Sequence, residues 1–515
     1  MPANQLKTLS LAVTSAILLS ACSNLEPKPY SEQEARERIV ADQLTMYAEQ
    51  EPVTAPISFY EAAARALKYN LDYRLKLMES ALASDLHDVS SHEMLPRVVA
   101  SAGYAGRNND SGGTSIGIED RQQSLRPSTS QERYRDIAGL NMSWSVLDFG
   151  VAYYRSQQKA DQILMAEERR RRVAQNVLQD VRNAYWRALG AQRLLPQVDR
   201  LLQRTEQALS SAREAETQGL LPRQEILAYQ RSLLDSVSLL TARRQDLEFA
   251  QAELKALMSL PPRSKLILVG DGSEPELPSL AADITRLENL ALENRPEIME
   301  EWYRKRVNIT DLEIAKAQLW PNVSLELGYN YDSNKYLYNN DWSDTGINVS
   351  MNLMRLFQLP SLDNASESQA ATDDLRRVAL SMAILTQVRV STLRYQLAQQ
   401  DMGYADESLR VDQQLLDYAK AASSTSIGSE LEVIRAEGRY LLSQYQREAA
   451  YSRAQAAWGR LYNSIGLDVL PEEIAQHDIK TLAHEIERTL NAQQGQGMLV
   501  SRVPLQGVVN APAAP

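Results

Sequence analysis

At residue 346 the chain reads GINVSMNLM and at residue 139 it reads GLNMSWSVL, and both stretches alternate with a period of two. Ile347, Val349, Met351 and Leu353 fall on one side, and Asn348, Ser350 and Asn352 on the other. Val323, Leu325, Leu327, Tyr329 and Tyr331 alternate in the same way against Asn322, Ser324, Glu326, Gly328 and Asn330. The pattern predicts four half-buried strands, at Pro96–Gly106, Gly139–Leu147, Pro321–Tyr331 and Gly346–Leu353. Around them the period changes to three and four, as in Val173, Val177, Val181 and Tyr185. One long helix is predicted over Val151–Thr217, broken in composition only by Gly190 and Pro196, with Pro196 a candidate kink, and a second over Ser361–Ser424. Two shorter helices, Ser58–Glu93 and Arg223–Met258, would together match the long one if stacked end to end. Columns of equal height suggest a wall of helices, although narrow Ala-rich stripes equally describe an antiparallel coiled coil.

The halves of the chain repeat. Ala66 aligns with Ala291, Pro96 with Pro321 and Gly103-Tyr104 with Gly328-Tyr329, all at one offset. The offset changes once, and Gly139 with Gly346 then keeps step with Glu225-Ile226-Leu227 against Glu432-Val433-Ile434. The change falls in GRNNDSGGTSIGIEDRQQSLRPSTSQE, a polar, turn-forming stretch that reads as a loop insertion. Each half is therefore helix, strand, loop, strand, long helix, turn and return helix. The segments are 1–21, 22–56, a first repeat over 57–262, a linker over 263–284, a second repeat over 285–467, and 468–515. The end of the chain, from about Asn491, is rich in Gly, Pro and Ala and reads as flexible or laid along the outside.

Alternation alone equally fits one face of a sandwich, but a sandwich needs a lid, and the neighbouring helices are narrow-striped and charged. Strands of about ten residues match the hydrocarbon layer of a bilayer. The apolar side then meets lipid, and Asn, Ser and Glu meet water. Four strands cannot close, and open edges in hydrocarbon leave unpaired backbone groups. Two chains would give eight strands, filled inside by side chains; three would give twelve and an aqueous passage.

Composition narrows the classes. The chain has 515 residues but only 4 Phe and 6 Trp, with 23% charged, which is little core material for its length. A net charge of −11 argues against binding a nucleic-acid backbone. Lys7, the apolar Leu9–Leu19 and Leu19-Ser20-Ala21-Cys22 resemble a bacterial lipoprotein signal, in which Cys22, the only cysteine, becomes the lipidated first residue. The bland reading is an ordinary secretory signal. Ser23, rather than Asp, resembles the outer-membrane sorting pattern. No other stretch approaches eighteen consecutive apolar residues. His87, His92, His477 and His484 lack metal-ligand spacing, GDGSEPELP at Gly270 reads as the inter-repeat linker, and no cofactor is expected beyond the covalent lipid on Cys22.

The duplicated order, with Gly-Tyr in a Pro-led strand, WSVLDFG entering a long helix, and QEILAYQ and ELEVIRAE after the helix turns, resembles the TolC family of outer-membrane efflux proteins over roughly Ile57 to Leu467. The resemblance implies a mainly α fold with a transmembrane β-barrel: duplicated helix-strand-strand-helix units that form, as a homotrimer, a 12-stranded outer-membrane β-barrel on a periplasmic α-helical barrel. It implies a passive conduit, not an enzyme, docked on a periplasmic adaptor (membrane fusion) protein and an inner-membrane pump that supplies the energy, in an efflux or type I secretion system. By position, Glu432 falls where the family often has an acidic residue at the periplasmic constriction. Arg435 stands where a second acid is found elsewhere, which is a departure, and the segment is two residues shorter than in some members. Glu430 and Glu432 are candidates for a carboxylate ring, with Arg435 of the same or a neighbouring chain as their counter-charge. An acidic first turn is also favourable at any helix N-terminus. The alternative class is a periplasmic coiled-coil adaptor or structural stalk lipoprotein.

Overall fold

The computed structural model describes residues 29–47, 50–123, 126–218, 222–269, 276–278, 280, 283–424, 430–468 and 478–495. Cys22 and its signal, His477, most of the GDGSEPELP linker and the chain beyond residue 495 lie outside the described residues. Two units are present, Met1–Pro52 and Val53–Pro515. In the first, helix α1 (Glu32–Tyr47) buries no residue.

The second unit holds the two repeats. The first comprises α2 (Phe59–Tyr69), α3 (Leu71–His92), β1 (Arg97–Gly106), a small hairpin of β2 (Gly112–Gly113) and β3 (Ser128–Thr129), β4 (Tyr134–Ser145), α4 (Val146–Thr217) and α5 (Arg223–Leu257). The second comprises α6 (Ile284–Asn294), α7 (Pro296–Ala317), β5 (Asn322–Asp332), β6 (Asp341–Ser350), α8 (Leu359–Ser424) and α9 (Glu430–Ile465), and α10 (Ile479–Gly495) follows. Helix α10 thus carries regular structure four residues past Asn491, where the composition suggests a flexible tail. The β2–β3 hairpin lies inside the loop insertion.

The sequence offsets are written into the packing. Ala66 and Ala291, Val181 and Val388, and Leu254 and Leu461 are equivalent pairs, and all six side chains are fully buried. The helix expected over Ser58–Glu93 is in fact two, because Asn70 leaves helical geometry at φ −61°, ψ 125°. Its side chain accepts hydrogen bonds from the amides of Asp72 (3.0 Å) and Tyr73 (3.2 Å), capping α3 while its own N–H closes α2. The equivalent Arg295 breaks the second repeat at the same dihedrals by another device, since it precedes Pro296, which disfavours helical geometry at the residue before it.

Helix α3 packs beside the upper part of α4 and α5 beside the lower, and α7 and α9 divide their side of α4 likewise. The joints sit at the two breaks. Ser259, past the end of α5, adopts φ +54° and donates from Oγ to the Tyr69 carbonyl at 3.0 Å. Its equivalent Gly466 has φ +78°, and a Cβ there would lie 2.8 Å from Arg295 Cα and N, so only glycine fits. Helix α2 instead crosses α4 together with α10, and Phe59, Ala62, Ala63 and Ala66 bury against Val177, Val181, Ala184 and Tyr185. Helices α4 and α9 approach closely at Gly459, where the Arg182 side chain fills the space a Cβ would need. That guanidinium lies over the Phe59 ring, donates to Gln455 at 3.2 Å, and is pushed down by burial to about 10.

Helix α4 runs unbroken through Pro196 for 72 residues, about 108 Å at the usual rise. The second long helix starts later than its counterpart. Leu353–Gln358 winds as a 3-10 segment, and α geometry begins at Leu359 because Pro360 tolerates only a first helical turn.

The sheet order is β1-β4-β5-β6, antiparallel throughout. The second strand of each hairpin begins five residues before the alternation suggests, at Tyr134 and Asp341, since pairing continues into the polar residues next to the loop. Strand β6 ends at Ser350, so Met351 and Leu353 leave the alternating face: Asn352 caps the 3-10 segment by accepting from the Met354 amide at 3.1 Å. Ser145, its equivalent, caps α4 through the Asp148 amide at 3.0 Å.

Candidate functional site

Register decides what the sheet presents. Val98 faces Met142, Ala100 faces Leu140, Leu140 faces Tyr329, Met142 faces Leu327 and Leu325 faces Ile347. Directly opposed residues share a side, so these form one apolar surface. Among the described residues nothing covers it: Val98, Leu140, Leu327, Tyr329, Ile347 and Val349 are all exposed, Ile347 at 73%. A bare apolar face of this extent on a water-facing sheet would be an association or membrane surface. Aromatic residues mark both ends of it. Tyr104, Tyr134, Tyr329 and Tyr331 stand toward the loops, and Trp144, Trp320, Phe149 and Phe357 toward the helices. The Tyr and Trp among them, with an apolar body and a polar edge, are the side chains that mark the two interfaces of a bilayer.

The opposite face is mostly polar and tight, with Val99, Ile137 and Trp342 as apolar exceptions. Ser101, Asn141, Ser143, Glu326, Asn330, Asp344 and Asn348 lie on it, with Gly103, Gly139, Gly328 and Gly346 between them. The Asn330 amide donates to Asp344, Ser145 Oγ donates to Asn322 at 2.6 Å, and Arg135 pairs with Asp332 at 2.7 Å. Above the sheet, the loops are stapled across repeats: Asn334 donates to the Ser130 carbonyl at 2.9 Å and accepts from the Glu132 amide at 3.1 Å. Edge strands β1 and β6 each keep one side without a partner strand among the described residues.

At the far end of the long helices lie the turns. The residues of the second turn, 425–429, fall outside the described set; Glu430, Glu432 and Arg435 open α9 just after it. Sequence reasoning joins Arg435 to the two glutamates. The structure instead turns Arg435 to α5, where its Nε and a terminal nitrogen meet Ser232 Oγ at 3.0 and 2.9 Å. Glu430 is 3.6 Å from Arg204 of α4, and Arg204 also pairs with Glu437 at 2.7 Å. Glu430 and Arg435 therefore each bridge the two helical hairpins. Glu432 and Arg435 also line a cleft of about 570 Å³ between them, beside Thr205, Ser236 and Tyr418. The Tyr229 hydroxyl pKa is raised by burial and then by Glu430. Arg204, Ser232 and Glu437 were not legible as site residues, since their equivalents in the other repeat are Val411, Arg439 and Gln230.

Among the described residues no group of three or more His, Cys, Asp or Glu could hold a metal ion, and no helix is long and apolar enough to cross a membrane.

No curated protein sequence matches the chain. Solved structures do, at identities that speak for the fold alone. The Campylobacter jejuni CmeC outer membrane channel aligns with a TM-score of 0.64 at 12% identity, covering 90% of this chain and 97% of that one. The open state of the Neisseria gonorrhoeae MtrE outer membrane channel gives 0.60 at 14%, covering 79% and 88%. CusC, described for its transmembrane channel formation, gives 0.57 at 18%, covering 82% and 96%. The profile of the outer membrane efflux protein family matches residues 62–259 and 287–467, which takes in both repeats with their strands and long helices. Family profile and fold thus agree over both halves of the duplication, and the chain belongs to the outer membrane efflux protein family.

Proposed function

We propose that three copies of this efflux channel close into one passive duct, a 12-stranded barrel in the outer membrane continued by twelve helical columns through the periplasm. The observation that carries this is the sheet itself: apolar on one side, mostly polar on the other, and, among the described residues, without a partner strand at either edge. In hydrocarbon each unpaired edge group costs several kcal/mol, so the edges must meet other copies. Two copies would make eight strands, a size filled by side chains, and three leave a passage.

The helical wall has matching needs. Along α3, Leu71, Leu75, Met78, Leu82, Leu86 and Val89 form an exposed stripe at coiled-coil spacing. Along α8, Leu397, Tyr404, Val411 and Tyr418 recur every seventh residue, also exposed. These stripes lie on the two outermost columns of the chain, where a neighbouring copy would cover them. A periplasmic stalk, the alternative class, would have no use for lipid-length strands.

Cys22 would carry the lipid that anchors the chain to the outer membrane. Glu430, Glu432 and Arg435 would form the periplasmic gate, held shut by the contacts to Arg204 and Ser232 and released when a periplasmic adaptor separates the hairpins. Energy would come from an inner-membrane pump, and no catalytic step is assigned to this chain. The test is insertion of purified protein into planar bilayers. Stepwise conductance from a heat-modifiable trimer supports the duct; a detergent-independent monomer that passes no ions sinks it.

A further inference from the structure

At the level of the Asn70 and Arg295 breaks, a polar cleft of about 280 Å³ opens between α4, α7, α8 and α9. Its lining includes three guanidiniums, from Arg295, Arg394 and Arg460, against one carboxylate, Glu297. Arg295 is 6% exposed and already committed: it pairs with Glu297 at 3.0 Å and donates to the Asn463 carbonyl at 2.7 Å and to Gln387 at 3.1 Å. Arg394 and Arg460 are different. Among the described residues neither makes a hydrogen bond or a salt bridge. Arg460 also acts on Asp180, whose pKa is raised by burial and then by Glu253, with Arg460 opposing. Apart from Val390, the rest of the wall is amide and hydroxyl. Asn463 donates to Asn176 (2.8 Å) and Gln179 (3.0 Å), which fixes the amides at the mouth.

The side on which the cleft opens matters. Asn176 is turned away from Val181, and Arg460 from Trp458, residues buried under the crossing helices α2, α6 and α10, while Gln179 and Asn463 at the edge also border a cleft shared with Leu490 and Gln493 of α10. In a closed wall those crossing helices must lie outside, because inside they would plug the passage. The cleft then faces the lumen.

Resting on the duct reading, we propose that this cleft is an oxyanion-binding station in the lumen, repeated once per copy, that takes carboxylate or phosphoryl groups of material in transit. Two uncommitted guanidiniums beside a rigid, amide-lined wall supply the charge-assisted donors such groups need. The volume lies below the roughly 300–1,000 Å³ of pockets for drug-sized molecules, so the cleft holds a charged group rather than a whole drug.

The test uses detergent-solubilised full-length protein titrated calorimetrically at low ionic strength with sodium pyrophosphate and, separately, with citrate. Wild type binds one anion per protomer, and the preferred probe tells phosphoryl from carboxylate recognition. Arg394→Gln and Arg460→Gln each weaken binding by about tenfold or more, the scale of a lost charge-assisted hydrogen bond, whereas Arg394→Lys stays close to wild type. Both side chains are exposed and unpaired, so folding is unaffected, and the same preparations are recorded in bilayers. Lost binding with conductance retained isolates the station from the duct. Binding that is absent in wild type, or unchanged in both Gln variants, overturns the station while leaving the duct standing; absence of conductance in every preparation overturns the duct.

Discussion

The seam between copies can be read from the seam between repeats. Strands β4 and β5 join the two halves within one chain, and β6 and β1 are their equivalents at the open edges. If the ring is built of six like units, Leu140 facing Tyr329 becomes Ile347 facing Tyr104 of the next copy, and Ser143 facing Glu326 becomes Ser350 facing Ser101. Apolar then meets apolar and polar meets polar, as that register requires. The perturbation is the pair Ser101→Cys and Ser350→Cys, in a chain whose only native cysteine is Cys22. Directly opposed residues have Cβ atoms about 4.5–5.5 Å apart and Cα atoms in a similar range, inside the roughly 4.4–6.8 Å Cα window of a disulfide. A slip of two residues moves the partner about 6.8 Å along the strand and out of that window. Mild oxidation of isolated outer membranes should therefore link the chains into dimers and trimers on non-reducing gels. Ala102→Cys with Ser350→Cys, on opposite faces, should not link, and Ser101→Cys with Asn348→Cys should link far more slowly. Equal linking in all three pairs, or none in the first pair of a conducting preparation, refutes the six-unit register.

Glu430→Gln with Glu432→Gln should abolish divalent-cation block and reduce cation preference in single-channel recordings; unchanged selectivity removes these residues from the constriction. The outer loops should be pH-sensitive only in acid. The Lys335 amide and ammonium hold Glu132, and Arg133 holds Asp110, below the usual carboxylate range. Their contribution is therefore present at neutral pH and fades as pH falls through those lowered values. Protection of the Lys335 amide from exchange, corrected for intrinsic rates, should stay constant from pH 7 to 5 and drop only below about 4; loss already between 7 and 5 contradicts this. Gly466→Ala forces both a left-handed alanine and a 2.8 Å contact with Arg295, and should destabilise by more than about 1–3 kcal/mol. At the equivalent joint, Ser259→Gly relieves φ +54° but loses the bond to Tyr69, and should stay within about 1 kcal/mol of wild type in thermal dissociation of the trimer.

Repetition made much of the architecture legible. Once Gly103 aligns with Gly328 and Gly139 with Gly346, the two hairpins must share one register, because the same side chains must reach the same face. The period-two stretches likewise gave the composition of each face, and the stacking of half-length helices beside long ones followed from their lengths. Boundaries were less legible. Tyr134–Ala138 and Asp341–Thr345 join the sheet through backbone hydrogen bonds, which leave no mark in hydropathy. The helix break at Asn70 rests on a cap and that at Arg295 on a following proline, local signals that a long apolar period overrides on reading.

The chain's own order of residues determined the duplicated units, the two-faced strands and the helical columns, because these depend on periodicity and local backbone preference. Only the tertiary structure decided which charges meet. Arg435 turns to Ser232 rather than to the glutamates, Arg204 bridges Glu430 and Glu437, and Arg295, Arg394 and Arg460 converge across three helices. Those partners lie tens to hundreds of residues apart, and long side chains on neighbouring helices choose among several within reach, so packing and not spacing selects them.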